Sequence, residues 1–452
     1  MSAWYLLFCA FCVLTLKEVN TLVGEPYMDE PFHVPQAQAY CRGEFMTWDP
    51  KITTPPGLYL WSLLLKRVFL LKCTLPMLRL TSLLSLLALP VVLTRLLCFH
   101  QRERHPTSLL NARADAIVLS AFPIAWFFGF LYYTDIPSLV TVLLTIVAAT
   151  EDKHWLAALF GIISCSFRQT NVIWVLYAFA SSQLMELRFR RALPGQPPPK
   201  KLHDPPALAA SSVDLLHAIR SAPAILPDIL PLFIPYASVL ALFGAFVVWN
   251  GGIVLGDKAN HVPAFHIPQL YYFLAFSTIL GWPALIGGSG GLQGLIRDVG
   301  YRMRSVFTVV ISIVMAVTIN LFTIHHPFLL SDNRHYTFYV WRRVFMFHHV
   351  VPYLFIPGYV ACGWAWFLRV GQEQTLLQTL VLPICTLPIL IPTPLLEPRY
   401  FVIPYILLRS QIVGMTPRRL AVEGIWYGVI NVMTMGVFLY LPRADGSIRF
   451  MW

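Results

Sequence analysis

GLYLWSLLLKRVFLLK, residues 57–72, decides how the chain is threaded. It sets Lys66, Arg67 and Lys72 among Leu, Val and Phe. The charges make it a poor membrane span. The same composition suits a helix lying in the interface. With this segment in the interface, the loops alternate cleanly. The basic loops 99–114 (FHQRERHPTSLLNARA), 188–226, 288–304 and 415–420 all fall on one face, which the positive-inside bias makes cytosolic. Loop 23–56 then lies on the opposite face. It carries Glu25, Asp29, Glu30, Glu44 and Asp49 against Arg42 and Lys51. Were 57–72 a span, several basic loops would move to the wrong side.

Composition agrees. The 452 residues are 57% hydrophobic and 12% charged, with a mean hydropathy of +0.64. A soluble chain carries roughly 25% charged residues. This excludes a soluble globular enzyme, a disordered chain and a disulfide scaffold, and leaves an all-α polytopic membrane protein. The net charge of +11 reads as topogenic, not as a nucleic-acid footprint. Apolar residues 3–16 have no basic residue before them, and Lys17 and Glu18 follow where a cleavage site would need small residues. An uncleaved first span over 3–22 is therefore expected. Further spans are expected near 76–98, 115–134, 136–151, 155–167, 172–187, 228–249, 268–287, 305–325, 346–368, 375–396, 400–414 and 422–441. That gives about thirteen (12–14) in one domain, 1–452, with a cytosolic N-terminus. Loop 23–74 is the first luminal loop, with interfacial helices. Loop 188–226, with PGQPPPKKLHDPP, reads as a flexible cytosolic linker. Segment 325–345 is a luminal basic loop.

The eight cysteines form no framework and no zinc spacing. They read as small apolar residues of spans, with only Cys41 and Cys73 in polar segments. No N-x-[ST] acceptor is present. No internal repeat is visible, and mid-span charges are few, Arg95 being the nearest. Both points weigh against a solute transporter.

The unusual polar residues collect on the luminal face. Asp29 and Glu30 follow the first span, with His33, Gln36 and Gln38 on a short helix that Pro31 opens. A carboxylate beside apolar groups serves as a general base when burial raises its pKa, whereas the same pattern also describes a capping Asp in a solvated loop. Segment 325–344 (HHPFLLSDNRHYTFYVWRRV) holds Asp332, Arg334, His335, Tyr336, Arg342 and Arg343. Basic residues on this face need a reason, and phosphate recognition supplies one, whereas a parity shifted by one makes the segment an ordinary cytosolic loop. Asp135, Arg168, Gln169, Asn171, Glu397, Arg399 and Tyr400 stand at span ends, where ionisable groups are costly. Asp257, Lys258 and His261 in loop 250–267 suit the lining of a sugar site and equally a plain reverse turn. The histidines near 325–349 lack metal-site spacing, and there is no DxD, so no metal and no cofactor is expected; a divalent cation is left open.

An acidic luminal loop, an interfacial helix behind it and luminal arginines resemble the GT-C class of membrane glycosyltransferases. More narrowly, YMDEPFHVPQAQAYCRGEFMTWDPKITTPPGLY, FGFLYYTD, SFRQTNVIWV, GGIVLGDKANH, SDNRHYTFYVWRRV and EPRYFVIPY resemble the dolichyl-phosphate-glucose-dependent α-1,2-glucosyltransferase family, from the first span to about residue 410. Pro31 and Pro398 stand where that family is expected to carry an apolar and an aromatic residue. The resemblance implies a multi-pass protein of the endoplasmic reticulum membrane with its active site facing the lumen. It implies transfer of glucose from dolichyl phosphate glucose to the terminal glucose of a diglucosylated dolichyl-diphosphate oligosaccharide. This is the last step of precursor assembly for N-glycosylation, proceeding with inversion. Asp29 matches the base position, with Glu30 in reserve. Arg168, Arg334, Arg342 and Arg343 would stabilise the leaving phosphate. His33, His335, Asp135 and Gln169 would orient sugars; Gln36, Asp257, Asp332, Tyr336 and Arg399 complete the binding set. The rival readings are a non-catalytic membrane partner, a transporter and a mannosyltransferase of the same class.

Overall fold

The structure is a computed structural model that describes residues 2–108, 110–190, 201–258, 262–288, 290–443 and 448–452. Among these residues twenty α-helices run in order: α1 Ala3–Leu22, α2 Glu30–Arg42, α3 Gly57–Phe69, α4 Leu75–Gln101, α5 Ala114–Ser120, α6 Pro123–Phe128, α7 Asp135–Thr150, α8 His154–Phe167, α9 Val172–Phe189, α10 Ser212–Asn250, α11 Gln269–Leu285, α12 Gly291–Met303, α13 Val306–Phe322, α14 Pro327–Ser331, α15 Tyr336–Val340, α16 Val351–Leu354, α17 Ile356–Gly371, α18 Leu376–Leu390, α19 Val402–Ser410 and α20 Pro417–Tyr440. Among the described residues there is no strand, only two isolated bridges.

Among the described residues, five segments are each long and apolar enough to cross a bilayer: α1, α4, α10, 351–371 and α20. Counting α12 and α13, which meet at a 78° bend, makes six. Helices α7, α8 and α18 are apolar but shorter. The chain is thus an all-helical protein with several apolar helices, built with more breaks than thirteen plain spans would show. Proline accounts for much of this. Pro123 opens α6 directly after α5, dividing the expected span 115–134. Residues 398–401 form a 3₁₀ turn, leaving the expected span 400–414 only the nine residues of α19. A proline cannot donate to the preceding turn and clashes with it.

The expected linker 188–226 is more ordered than its composition implied. Residues 191–200, which include PGQPPP, lie outside the described residues. The Ala207 amide donates to the Gln374 carbonyl (3.0 Å), and Leu376 donates to that of Pro205 (2.9 Å). Asp204 Oδ1 accepts from the Leu377 amide (2.8 Å). Ser211 and Asp214 then form a capping box that starts α10 inside the same stretch. Local capping and a docked backbone outweigh the proline content there.

The first loop brings one correction, and the tail adds a finding. Cys41 and Cys73 are joined by a disulfide, tying the end of α2 to the start of α4. The polar setting of these two cysteines was the signal that separated them from the six in apolar runs. The tail returns to the face of the first loop: Tyr27 Oη accepts from the Arg449 amide (2.8 Å), and Arg449 Nη2 donates to the Leu22 carbonyl (2.9 Å). Met451 pairs with the backbone of Arg334 and Tyr336. Residues 448–452 therefore lie on the same face as loop 23–56.

Candidate active site

Asp29 is the N-cap residue of α2, yet its side chain makes no capping bond. Met28 before it takes a left-handed φ of 60°. Such a conformation costs a non-glycine residue on the order of 1–3 kcal/mol and persists only where surroundings impose it. The carboxylate turns away from the helix toward Arg399, whose Nη1 donates to Asp29 Oδ2 at 2.7 Å. Arg399 also pairs with Glu397 through Nε. Its guanidinium packs over the rings of Tyr133 (5.6 Å) and Phe128 (5.9 Å). Tyr133 Oη in turn accepts from the Asp29 amide (3.0 Å).

Glu30, one residue on, is held differently. Its side chain is 0% exposed, against 35% for Asp29. Its two oxygens accept from Arg79 Nε (2.8 Å) and Nη2 (2.6 Å) and from the amides of Tyr132 (2.8 Å) and Tyr27 (3.0 Å). Every strong acceptor direction is used inside the protein. Glu30 faces Arg79 of α4 and is sealed away; Asp29 faces the cavity.

That cavity measures about 770 Å³. Four stretches separated in sequence meet around it. The first loop supplies Asp29, His33 and residues 50–54. The breaks between α6 and α7 and between α8 and α9 supply Tyr133, Arg168, Gln169 and Asn171. The turn before α19 supplies Glu397, Arg399 and Tyr400. Arg168 stands where α8 ends in extended backbone, and its Nη2 donates to Asp135 Oδ1 at 2.7 Å. Gln169 Nε2 donates to the Thr53 carbonyl (2.6 Å), and His33 Nδ1 lies 2.6 Å from Tyr59 Oη. Asp257 also lines the wall. Its loop closes against residues 50–52 so tightly that a Cβ on Gly256 would sit 2.3 Å from the Pro50 carbonyl oxygen. His261, named with Asp257 from the sequence, lies outside the described residues.

Charge sets the protonation states. Burial pushes the Asp29 carboxyl up, but Arg399, then His33 and His335, outweigh it and hold the group below its ordinary value. The sequence argument anticipated a raised pKa, and its partner across the cavity reverses the sign. Burial lowers His33 despite the attraction of Asp29 and favours its neutral form.

Of the other residues singled out from the sequence, Asp135 stands behind Arg168. Gln36 is buried and holds the loop itself, donating to the Thr47 carbonyl (2.6 Å) and accepting from the Asp49 amide (2.8 Å). Asp332, Arg334, His335 and Tyr336 do not line the cavity. Arg334 binds Asp332 through Nε and Nη2, both at 2.8 Å, and His335 Nδ1 donates to the Trp452 carbonyl (2.6 Å). Arg342 and Arg343 lie exposed on a π-helical turn, over the rings of Phe338 and Tyr339. Sequence reasoning missed Tyr133, Arg79 and Lys51. Tyr133 sits in the quoted FGFLYYTD and Lys51 in WDPKITTPP, but nothing local marks either as a site residue.

A helical protein rich in apolar segments, with a carboxylate–arginine pair opening into a large polar-edged cavity, defines a membrane enzyme acting on a sizeable polar group. The chain belongs to the DIE2/ALG10 family, whose profile matches residues 23–410. It is 35% identical to the human protein named Dol-P-Glc:Glc(2)Man(9)GlcNAc(2)-PP-Dol alpha-1,2-glucosyltransferase, over 98% of this chain and 97% of the relative. An Arabidopsis thaliana protein of the same name is 34% identical over 96% of each, and one from Drosophila melanogaster 37% over 84% of this chain and 82% of its own. No solved structure matches the chain significantly.

Proposed function

We propose that the chain transfers glucose from dolichyl phosphate glucose to the terminal glucose of the Glc(2)Man(9)GlcNAc(2)-PP-dolichol acceptor, forming an α-1,2 bond. The observation that carries this is Asp29, paired with Arg399 and open to a cavity on which the family's segments converge. Asp29 is the base. As the acceptor 2-oxygen bonds to the glucose anomeric carbon, the bond from that carbon to the phosphate oxygen breaks, and the hydroxyl proton passes to Asp29. The phosphate leaves with its bonding electron pair, turning a singly charged diester into a more highly charged monoester. It needs positive charge, not a general acid. Arg168 and Arg399 supply part of that field, and His33 and Gln169 face the sugars. Glu30 holds the loop in place and takes no part in proton transfer. Arg334, Arg342 and Arg343 act outside the cavity.

The dolichyl chain lies in a second, mainly apolar cavity of about 520 Å³ that shares Gln169 with the first and is walled by Trp48, Phe243, Phe246 and Trp249. Helix α3 ends in exposed Val68, Phe69 and Leu70 and lies in the interface beside it. The reaction takes place in the lumen of the endoplasmic reticulum. The Cys41–Cys73 disulfide supports this side for the first loop, because disulfides persist in oxidising compartments.

Purified protein in detergent, given dolichyl phosphate glucose and the diglucosylated acceptor, tests the reading. The wild type is expected to transfer glucose, and a folded Asp29→Asn variant to lose it. Absence of transfer by folded wild-type protein would refute the reaction. Transfer surviving in Asp29→Asn would refute the base.

A further inference from the structure

The donor carries its phosphate between a sugar and a polyprenyl chain. Resting on the reading above, that phosphate must sit where the polar cavity meets the apolar one. One short turn forms this junction. Residues 50–54 line the first cavity, and Pro55 and Pro56, next in sequence, line the second. Gln169, on both walls, ties the turn down through the Thr53 carbonyl, and Leu255 donates to the same oxygen at 3.3 Å.

Two features of this turn are unspent. Lys51 lies with its Nζ 5.0 Å from the ring centroid of Phe32, and it pairs with no carboxylate among the described residues. The other two cations of the cavity are committed, Arg399 to Asp29 and Glu397, and Arg168 to Asp135. Second, the Thr54 hydroxyl is buried with no hydrogen-bond partner among the described residues. A buried hydroxyl without a partner is costly. We propose that the Lys51–Thr54 turn is the phosphate clamp of the donor site, with the Lys51 ammonium and the Thr54 hydroxyl donating to non-bridging phosphate oxygens. When the glycosyl bond breaks, the added negative charge develops beside Lys51, so the contact strengthens along the reaction.

The test uses full-length protein in detergent, as Lys51→Gln, Lys51→Arg and Thr54→Val. Donor and acceptor kinetics are measured separately, and binding of dolichyl phosphate, with dolichol as control, is followed by native mass spectrometry. Lys51→Gln is expected to raise the donor KM and weaken dolichyl phosphate binding by roughly 10- to 100-fold, the range of a charged hydrogen bond. The acceptor KM is expected to stay within about twofold and dolichol binding to be unaffected, with most of the loss recovered in Lys51→Arg. Thr54→Val is expected to lose about 2- to 10-fold on the same readouts. Unchanged donor KM and dolichyl phosphate binding in Lys51→Gln overturn the clamp while leaving the reaction standing. A defect confined to the acceptor KM also overturns it. A folded wild type that transfers nothing removes the reaction reading, and the clamp then stands or falls on dolichyl phosphate binding alone: dependence on Lys51 supports it, and no binding overturns it.

Discussion

Asp29 and Glu30 are neighbours in sequence, and the geometry demands opposite phenotypes from them. The Glu30 and Arg79 side chains are both 0% exposed, and Glu30 accepts four hydrogen bonds. Glu30→Gln keeps the shape but turns an amide NH₂ toward donors and leaves the buried guanidinium without a counter-charge. Breaking such a pair costs about 3–5 kcal/mol, a large part of a typical total of 5–15 kcal/mol. The second change, Arg79→Met, removes the stranded charge. The double variant should therefore be more stable than the sum of the single losses predicts, by about 1–3 kcal/mol. Asp29→Asn breaks one ion pair at a partly open site, where Arg399 keeps Glu397 as partner. Its stability should change by no more than about 1 kcal/mol, while transfer falls on the order of 10²- to 10⁴-fold. Denaturant unfolding followed by tryptophan fluorescence, together with transfer rate per folded molecule, separates the two. A Glu30→Gln protein as stable as wild type but more defective in transfer than Asp29→Asn would refute the reasoning.

Three further outcomes follow from particular contacts. Arg399→Gln removes the largest influence lowering the Asp29 pKa, leaving burial dominant. The pKa rises, so the acid limb of the rate profile moves to higher pH, and an unmoved limb would contradict the pairing. In the wild type the same depressed pKa contributes stability above the ordinary carboxylate value that is lost as pH falls through the folded value. Cys41→Ser opens a loop with a sequence separation of 32 and should cost about 3–4 kcal/mol by chain entropy. The loss is read as a lowered unfolding midpoint that reductant no longer shifts. Arg449→Ala removes donors from the carbonyls of Leu22, Phe438 and Leu439. It should speed hydrogen exchange at residues 334–336, which the tail holds through Met451.

The membrane character and the segments that meet at the cavity were legible because hydropathy and motif are local properties. Which of two adjacent carboxylates faces the cavity was not. That depends on α2 beginning at Glu30 rather than Asp29, since successive helical positions turn about 100°. Gln36 shows the same limit: its amide closes a loop through residues 11 and 13 positions away. Arg334 read as a phosphate ligand because a sequence does not show which neighbours pair with it. Asp332 neutralises it, and Met451 binds its backbone from over a hundred residues on. Helix breaks were hidden for another reason. Hydropathy windows pass over prolines such as Pro123, whereas a helix does not. Lys51 went unnoticed because a lone lysine in a loop becomes significant only when the other cations around it are seen to be paired.

The lowered pKa of Asp29 bears on the order of events in the proposed transfer. A carboxylate held below its ordinary value is a weak base toward a free sugar hydroxyl, so it does not remove the proton in advance. The hydroxyl becomes strongly acidic only once its oxygen begins to bond to the anomeric carbon. In the proposed transfer the proton then moves as the new bond forms rather than before it. Catalysis in such a sequence depends less on base strength than on fixing the carboxylate against the attacking oxygen and receiving charge on the departing phosphate. In the proposed site Arg399, with the Tyr133 and Phe128 rings beneath it, would meet the first need. The proposed clamp would meet the second through Lys51, which pairs with no carboxylate among the described residues.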